Sequence, residues 1–211
     1  MKRLQHYLNL HQGYKLKEDG IVGNKTKAAL SAFIKNEINR RGWQQPYTDL
    51  VWLRYDKTYN NKFNDFCALY YRGELEKVYF CTTTPGDYWV YNPVTVGGIT
   101  GVATLCEQQV VNSHKWVEND NWNTLWLGMP YAKQVKDVDV YRDGNKDGNF
   151  DRLTKYRAIW WQSGINFHQM GAGTINWNWS AGCLGMAKKD WDFVVRYFDN
   201  DDLLTLTLIE L

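Results

Sequence analysis

The spacing of apolar residues changes at Pro46, and that change constrains the fold more than any other feature. Before it, apolar positions recur with helical period: Leu4, Leu8 and Leu10, then Ala29, Leu30, Phe33 and Ile34. Gly13 through Asp19-Gly20 reads as a loop, and Asn24 or Thr26 opens the next helix. Asn36 to Gln45 is polar and basic and reads as a linker. Beyond Pro46 the pattern is that of strands. Phe66–Tyr71 and Leu75–Phe80 flank a turn at Arg72-Gly73 and predict a hairpin. Thr95–Ala103 is glycine-rich and β-branched, as at a sheet rim or bulge. Val135–Tyr141 alternates, Tyr156–Phe167 reads as a strand running straight into His168, and Leu203–Leu211 reads as a closing strand. Ala187–Phe198 carries a helical stripe of Trp191, Val194, Val195 and Phe198. Residues 114–131, with Trp116, Trp122, Trp126 and Tyr131, read as a long insertion walling a cleft. The expected fold is α+β, with a small all-α three-helix unit over residues 1–42 and a mixed, mainly β unit over 43–211. A chain of 211 residues can bury a core in each.

Chemistry concentrates between Ile165 and Met186. His168 and Cys183 stand fifteen positions apart, separated by glycines, tryptophans and small polar residues without periodicity. A thiol becomes nucleophilic when it loses its proton, and a neighbouring imidazole is the usual base. The small residues of Ser180-Ala181-Gly182-Cys183 would let a carbonyl approach and leave backbone N–H groups for a developing oxyanion. Taken as residue types alone, a small core cysteine and a structural histidine remain the competing interpretation. The glycines of Gly171-Ala172-Gly173 lack a third partner and a strand–helix context, so a dinucleotide loop is weakly indicated.

Ile165-Asn166-Phe167-His168 followed by Ser180-Ala181-Gly182-Cys183 resembles the catalytic signature of the L,D-transpeptidase (YkuD-like) domain. The resemblance implies Cys183 as nucleophile and His168 as its base, with the carbonyl of Gln169 orienting the ring. It further implies an oxyanion hole from the N–H groups of Gly182 and Cys183, and Ser180 as a brace. Two positions depart from the family: Ala181, often His, and Gly185, often Arg or Asn where substrate is held. Residues 1–40, through Leu4-Gln5, Leu8, Leu16, Asp19-Gly20-Ile21-Val22-Gly23, Thr26, Ala29-Leu30 and Phe33, resemble the peptidoglycan-binding domain 1 repeat. The expected arrangement is thus a helical wall-binding unit ahead of an L,D-transpeptidase-like domain.

A second motif is Asp143-Gly144-Asn145-Lys146-Asp147-Gly148-Asn149-Phe150-Asp151. Asp143, Asn145, Asp147 and Asp151 fall at positions 1, 3, 5 and 9 of an EF-hand-like loop, with Gly at 6. Position 12 is Thr154 rather than the bidentate Glu, so Ca²⁺ and a simple Asp/Asn/Gly turn both stay open. Catalysis itself calls for no cofactor. Three zinc ligands are hard to assemble from four histidines, two of them near the N-terminus, and no HExxH is present.

Aromatic residues make up 16% of the chain, including eleven Trp and fourteen Tyr, and suggest a ring-lined groove suited to sugars or extended peptides. Arg157, Trp177 and Trp179 are the expected substrate contacts. A net charge of +2 favours neither nucleic acid nor a membrane surface, and a monomer is expected. Cys67, Cys81 and Cys106 read as reduced strand residues. The opening residues MKRLQHYLNLHQG lack the apolar core and cleavage site of a secretory signal. The sequence therefore reads as a cysteine-dependent peptidoglycan enzyme, made in the cytoplasm and reaching the wall after release or non-classical export. Hydrolysis of a stem-peptide bond at a diaminopimelate-type residue, as in a phage-type endolysin, is the first expectation. Cross-linking by an L,D-transpeptidase is the alternative, and a non-catalytic wall-binding protein a third.

Overall fold

A computed structural model describes residues 1–58, 61–118, 129–149, 151–152, 154–171 and 178–211. The expected α+β fold with a three-helix N-terminal unit is overturned: the chain is mostly β, built on a closed eight-stranded barrel. Only two helices precede it among the described residues, α1 (Lys2–Gln12) and α2 (Asn24–Arg41). Gly13, at φ 68°, ends α1, and residues 13–23 run without a helix. The predicted linker is largely helix. Glu37 pairs with Arg41 one turn on, Ile38 is fully buried, and α2 continues until Gly42 at φ 67°.

The barrel follows from period-2 burial. Its strands are β1 (Asp49–Arg54), β2 (Asp65–Tyr71) and β3 (Glu74–Thr82), then five from the later chain. Leu50 and Trp52, Cys67 and Leu69, Tyr79 and Cys81 point into the interior cluster. Their neighbours Val51, Leu53, Phe66, Ala68, Tyr70 and Val78 point outwards, and there they meet Leu4, Leu8, Ala29, Leu30, Phe33, Ile34 and Ile38. The helices and one outer barrel face thus share a single apolar cluster. An amphipathic pattern reveals that a helix face is buried but not against what, which is why the N-terminal segment reads as self-contained. Leu10 lies off the packed stripe and is 66% exposed.

The β2–β3 hairpin turns where the sequence predicts, with Arg72 at φ 53° and Gly73 at φ 82°. After it come a short helix α3 (Asp87–Tyr91) and the small strands β4 (Thr95–Val96) and β5 (Ile99–Thr100). Next are β6 (Val102–Leu105), β7 (Gln108–Val117), β8 (Tyr131–Gln134), β9 (Val138–Asp143) and β10 (Lys155–Ala158). Strands β10, β9 and β6 form a separate antiparallel sheet. Trp116 and Tyr131 do not wall a cleft: both are buried in β7 and β8, and Trp116 stacks on Trp191 and Phe198. Trp122 and Trp126 lie outside the described residues.

The expected strand from Tyr156 to Phe167 is interrupted by one helical turn, α4 (Trp160–Ser163), closed by Gly164 at φ 53°. Then follow β11 (Phe167–Gln169), β12 (Leu184–Met186), helix α5 (Lys188–Val194) and β13 (Leu203–Glu210). Around the barrel the order is β1-β13-β7-β8-β11-β12-β3-β2. Cys67 lies in β2, Cys81 in β3 and Cys106 just past β6; all three are buried free thiols. No helix among the described residues is long and apolar enough to cross a membrane.

Candidate active site

Strands β11 and β12 run parallel, with Phe167 opposite Leu184 and His168 opposite Gly185. Phe167 and Leu184 fill the barrel interior, so alternation turns His168 to the other face. Cys183 immediately precedes β12, two residues before the partner of His168. The parallel register, not the fifteen-residue spacing, lays the strand of His168 beside the strand that Cys183 leads into.

His168 is buried, and its Nδ1 lies 2.6 Å from the Gln169 carbonyl. A carbonyl only accepts, so Nδ1 carries the proton and Nε2 the basic lone pair. Burial pushes the ring down to about 4, partly opposed by that carbonyl. Cys183 is the one half-exposed thiol among the cysteines. Its Sγ accepts from the Asn166 amide at 3.3 Å and sits 3.5 Å from the Gly164 carbonyl. Burial of the sulfur pushes the thiol up to about 11, and the Asn166 N–H pulls against that rise. Thiol and imidazole are therefore both neutral at rest, and a base must take the proton as the sulfur attacks.

The loop ahead of Cys183 is tightly tied. Ser180 Oγ accepts from the Gly182 amide at 3.0 Å and donates to the Cys183 carbonyl at 2.7 Å. Ala103 N–H donates to the Ala181 carbonyl and Gly86 N–H to the Ser180 carbonyl, each at 3.0 Å. Gly182 sits at φ 153°, and a Cβ there would come 2.7 Å from the Ala103 carbonyl, so this position admits only glycine. With the Gly182 N–H directed to Ser180, the amide left to face an oxyanion is that of Cys183. Gly185 is equally confined. A Cβ there would collide with the His168 carbonyl and stand 2.7 Å from the Met170 side chain. The packing of β12 against His168 thus leaves no room for a side chain at this position.

The expected substrate residues are scattered. Arg157 projects from β10 towards Asp139 at 3.8 Å, and no contact brings it to Cys183. Trp179 is exposed and covers Gly171, while Trp177 lies outside the described residues. Other rings are exposed on α3 and α4. Trp160 and Trp161 are exposed on α4, one turn before the Gly164 carbonyl that meets Cys183 Sγ. Trp89 of α3 donates to the Asn178 carbonyl at 2.8 Å, next to exposed Tyr88. Sequence reading missed these rings because Trp160 and Trp161 sit within an apparent strand.

In the acidic loop, Asp143 accepts from the amides of Asn145 and Asp151, Asn145 from Asp147, and Asp147 from Asn149. The Asn145 side-chain amide donates to Asp151 at 2.6 Å. Among the described residues no three Asp, Glu, His or Cys side chains gather as for a metal.

No protein-family model matches this chain, nor does any curated protein. Among solved structures it is similar to the crystal structure of the L,D-transpeptidase (residues 123–326) from Xylanimonas cellulosilytica DSM 15894. The identity is 15%, the TM-score 0.40, and the match covers 99% of this chain and 92% of that one. A likeness of that degree bears on neither site residues nor substrate.

Proposed function

We propose that this protein is a cysteine acyl-transfer enzyme of the L,D-transpeptidase kind, acting on the stem peptides of peptidoglycan. The observation that carries the reading is the parallel pairing that lays the strand of His168 beside the strand Cys183 leads into, with the Gln169 carbonyl on Nδ1 and the Asn166 amide on Sγ. His168 Nε2 takes the thiol proton as Sγ attacks the carbonyl following the L-centre of a diaminopimelate-type residue. The oxyanion faces the Cys183 amide, and the departing amine receives the proton from His168. The thioacyl group is then released to an acceptor. Water is the acceptor we infer, giving a shortened stem peptide. The exposed rings of α3 and α4 suit the apolar faces of wall sugars and peptide.

Mass spectrometry of muropeptides, after purified sacculi are incubated with the protein, tests the whole reading. Stem peptides shortened at the diaminopimelate carbonyl are expected from the wild type and not from Cys183→Ala. New cross-links would assign an amine as acceptor, and unchanged muropeptides would overturn the reading.

A further inference from the structure

His114 is a buried histidine that the reaction above does not use. It lies on β7 directly opposite Gln134 of β8, and its ring stacks on Phe167 at 3.8 Å between centroids. Both residues reach across to Ile165. His114 Nε2 is 2.8 Å from the Ile165 carbonyl, and Gln134 Oε1 accepts from the Ile165 amide at 2.6 Å. Gln134 is itself anchored, since its Nε2 donates to the carbonyls of Lys136 and Ala158. Its backbone N–H donates to Asn166 Oδ1 at 2.9 Å. Asn166 therefore leaves the clamp with its side chain held and its own N–H directed at Cys183 Sγ.

The proton positions along this line are determined. The Ile165 carbonyl requires a donor, so Nε2 of His114 carries the proton and Nδ1 accepts from Ser113 Oγ at 2.8 Å. Ser113 Oγ in turn accepts from the Leu206 amide of β13 at 3.2 Å. Every polar atom of the ring is matched in its neutral form, and burial holds the ring neutral by pushing it down to about 3.

We infer that His114, with Gln134, is a positioning residue: the two clamp Ile165 on both sides so that the Asn166 amide stays aimed at the Cys183 sulfur. This rests on Cys183 being the nucleophile. A backbone N–H pointing at sulfur stabilises thiolate over thiol, and its value depends on alignment, which the clamp sets.

The test measures the thiol directly and needs no substrate. The rate of iodoacetamide labelling at Cys183 is followed by peptide mass at pH 8, in the full chain. His114→Phe keeps the stacked ring and removes the donor; His114→Gln places an amide N–H where Nε2 was. Misaligning the amide by the equivalent of about one pKa unit lowers the thiolate population tenfold, and the greater reactivity of the more basic sulfur offsets part of that. Labelling of His114→Phe is thus expected to fall about three- to fourfold, and His114→Gln to restore it. Asn166→Ala, at a half-buried site, removes the Gln134 tether and should slow labelling in the same sense. If His114→Phe does not fold, His114→Gln decides the histidine's part, labelling slower than wild type overturning it, and Asn166→Ala decides the tether's. Unchanged or faster labelling in folded His114→Phe, or no recovery with Gln, would reduce the histidine to a packing role and overturn the inference. If labelling responds as expected while sacculi are left untouched, the clamp stands and the proposed reaction falls.

Discussion

Removing residues 1–42 is the perturbation that discriminates most sharply between a tethered unit and an integral part of the fold. On the barrel side, Val51, Leu53, Phe66, Tyr70 and Ile209 are fully buried in the cluster shared with the two helices. Re-exposing a large apolar side chain costs about 1.5–3 kcal/mol, so these five alone represent about 8–15 kcal/mol. Residual burial in the unfolded chain trims that by roughly 10–40%. The result still matches the whole stability of a typical domain, about 5–15 kcal/mol. The ion pair of Arg41 with Glu107, at 2.5 Å, goes as well, though near the surface it adds little. A fragment of residues 43–211 is therefore expected to lack a cooperative melt and fixed near-ultraviolet circular dichroism, and to bind a hydrophobic dye. Ile34→Asp in the full chain, placing a charge in the same layer, should lower Tm steeply. A fragment that melts cooperatively within a few degrees of the intact chain would refute the reasoning and make the helices a separable attachment.

Cys183→Ala should abolish turnover and leave Tm nearly unchanged, and residual activity above about a hundredth of wild type would exclude a covalent thiol mechanism. Because burial holds His168 near 4, the base stays neutral and competent down to mildly acidic pH. The acid limb of kcat/KM should therefore lie near 4, and a limb near the ordinary histidine value would contradict the neutral pair. Gly185→Ala forces a methyl against the His168 carbonyl and Met170, so kcat should drop with a loss of about 1–3 kcal/mol in stability, read by thermal melting. For the acidic loop, a metal-stripped sample titrated with Ca²⁺ decides between a cation site and a turn. The ladder of side-chain bonds to its own backbone predicts an unchanged Tm at about 10 mM Ca²⁺, well above the Kd of weak extracellular sites.

What could be read in the sequence depended on whether the signal was local. The β2–β3 hairpin was legible because Arg72-Gly73 takes left-handed geometry between two apolar runs. The helical faces of Leu4, Leu8, Phe33 and Ile34 were legible too, but their partner was not, since Val51 and Phe66 belong to strands far along the chain. His168 and Cys183 stood out as a motif, whereas the parallel pairing that joins their strands has no local mark. The helical turn at Trp160–Ser163 hid within a β-rich composition, and with it two exposed rings. His114 gave one faint hint, sharing the inward phase of β7 with Trp116, but nothing in its neighbourhood pointed to Ile165.

The pairing of β1 with β13 sets an order of events during synthesis. Val51 finds its partner Thr207 only after the intervening chain has left the ribosome. Until then one edge of β1 has no neighbour strand, and edges of that kind invite pairing with other nascent chains. The two helices precede β1 and need only local contacts to form, so they can cover Val51 and Leu53 long before the ring closes. Seen along the time axis of translation, the N-terminal helices are the first partners available to the outer face of β1.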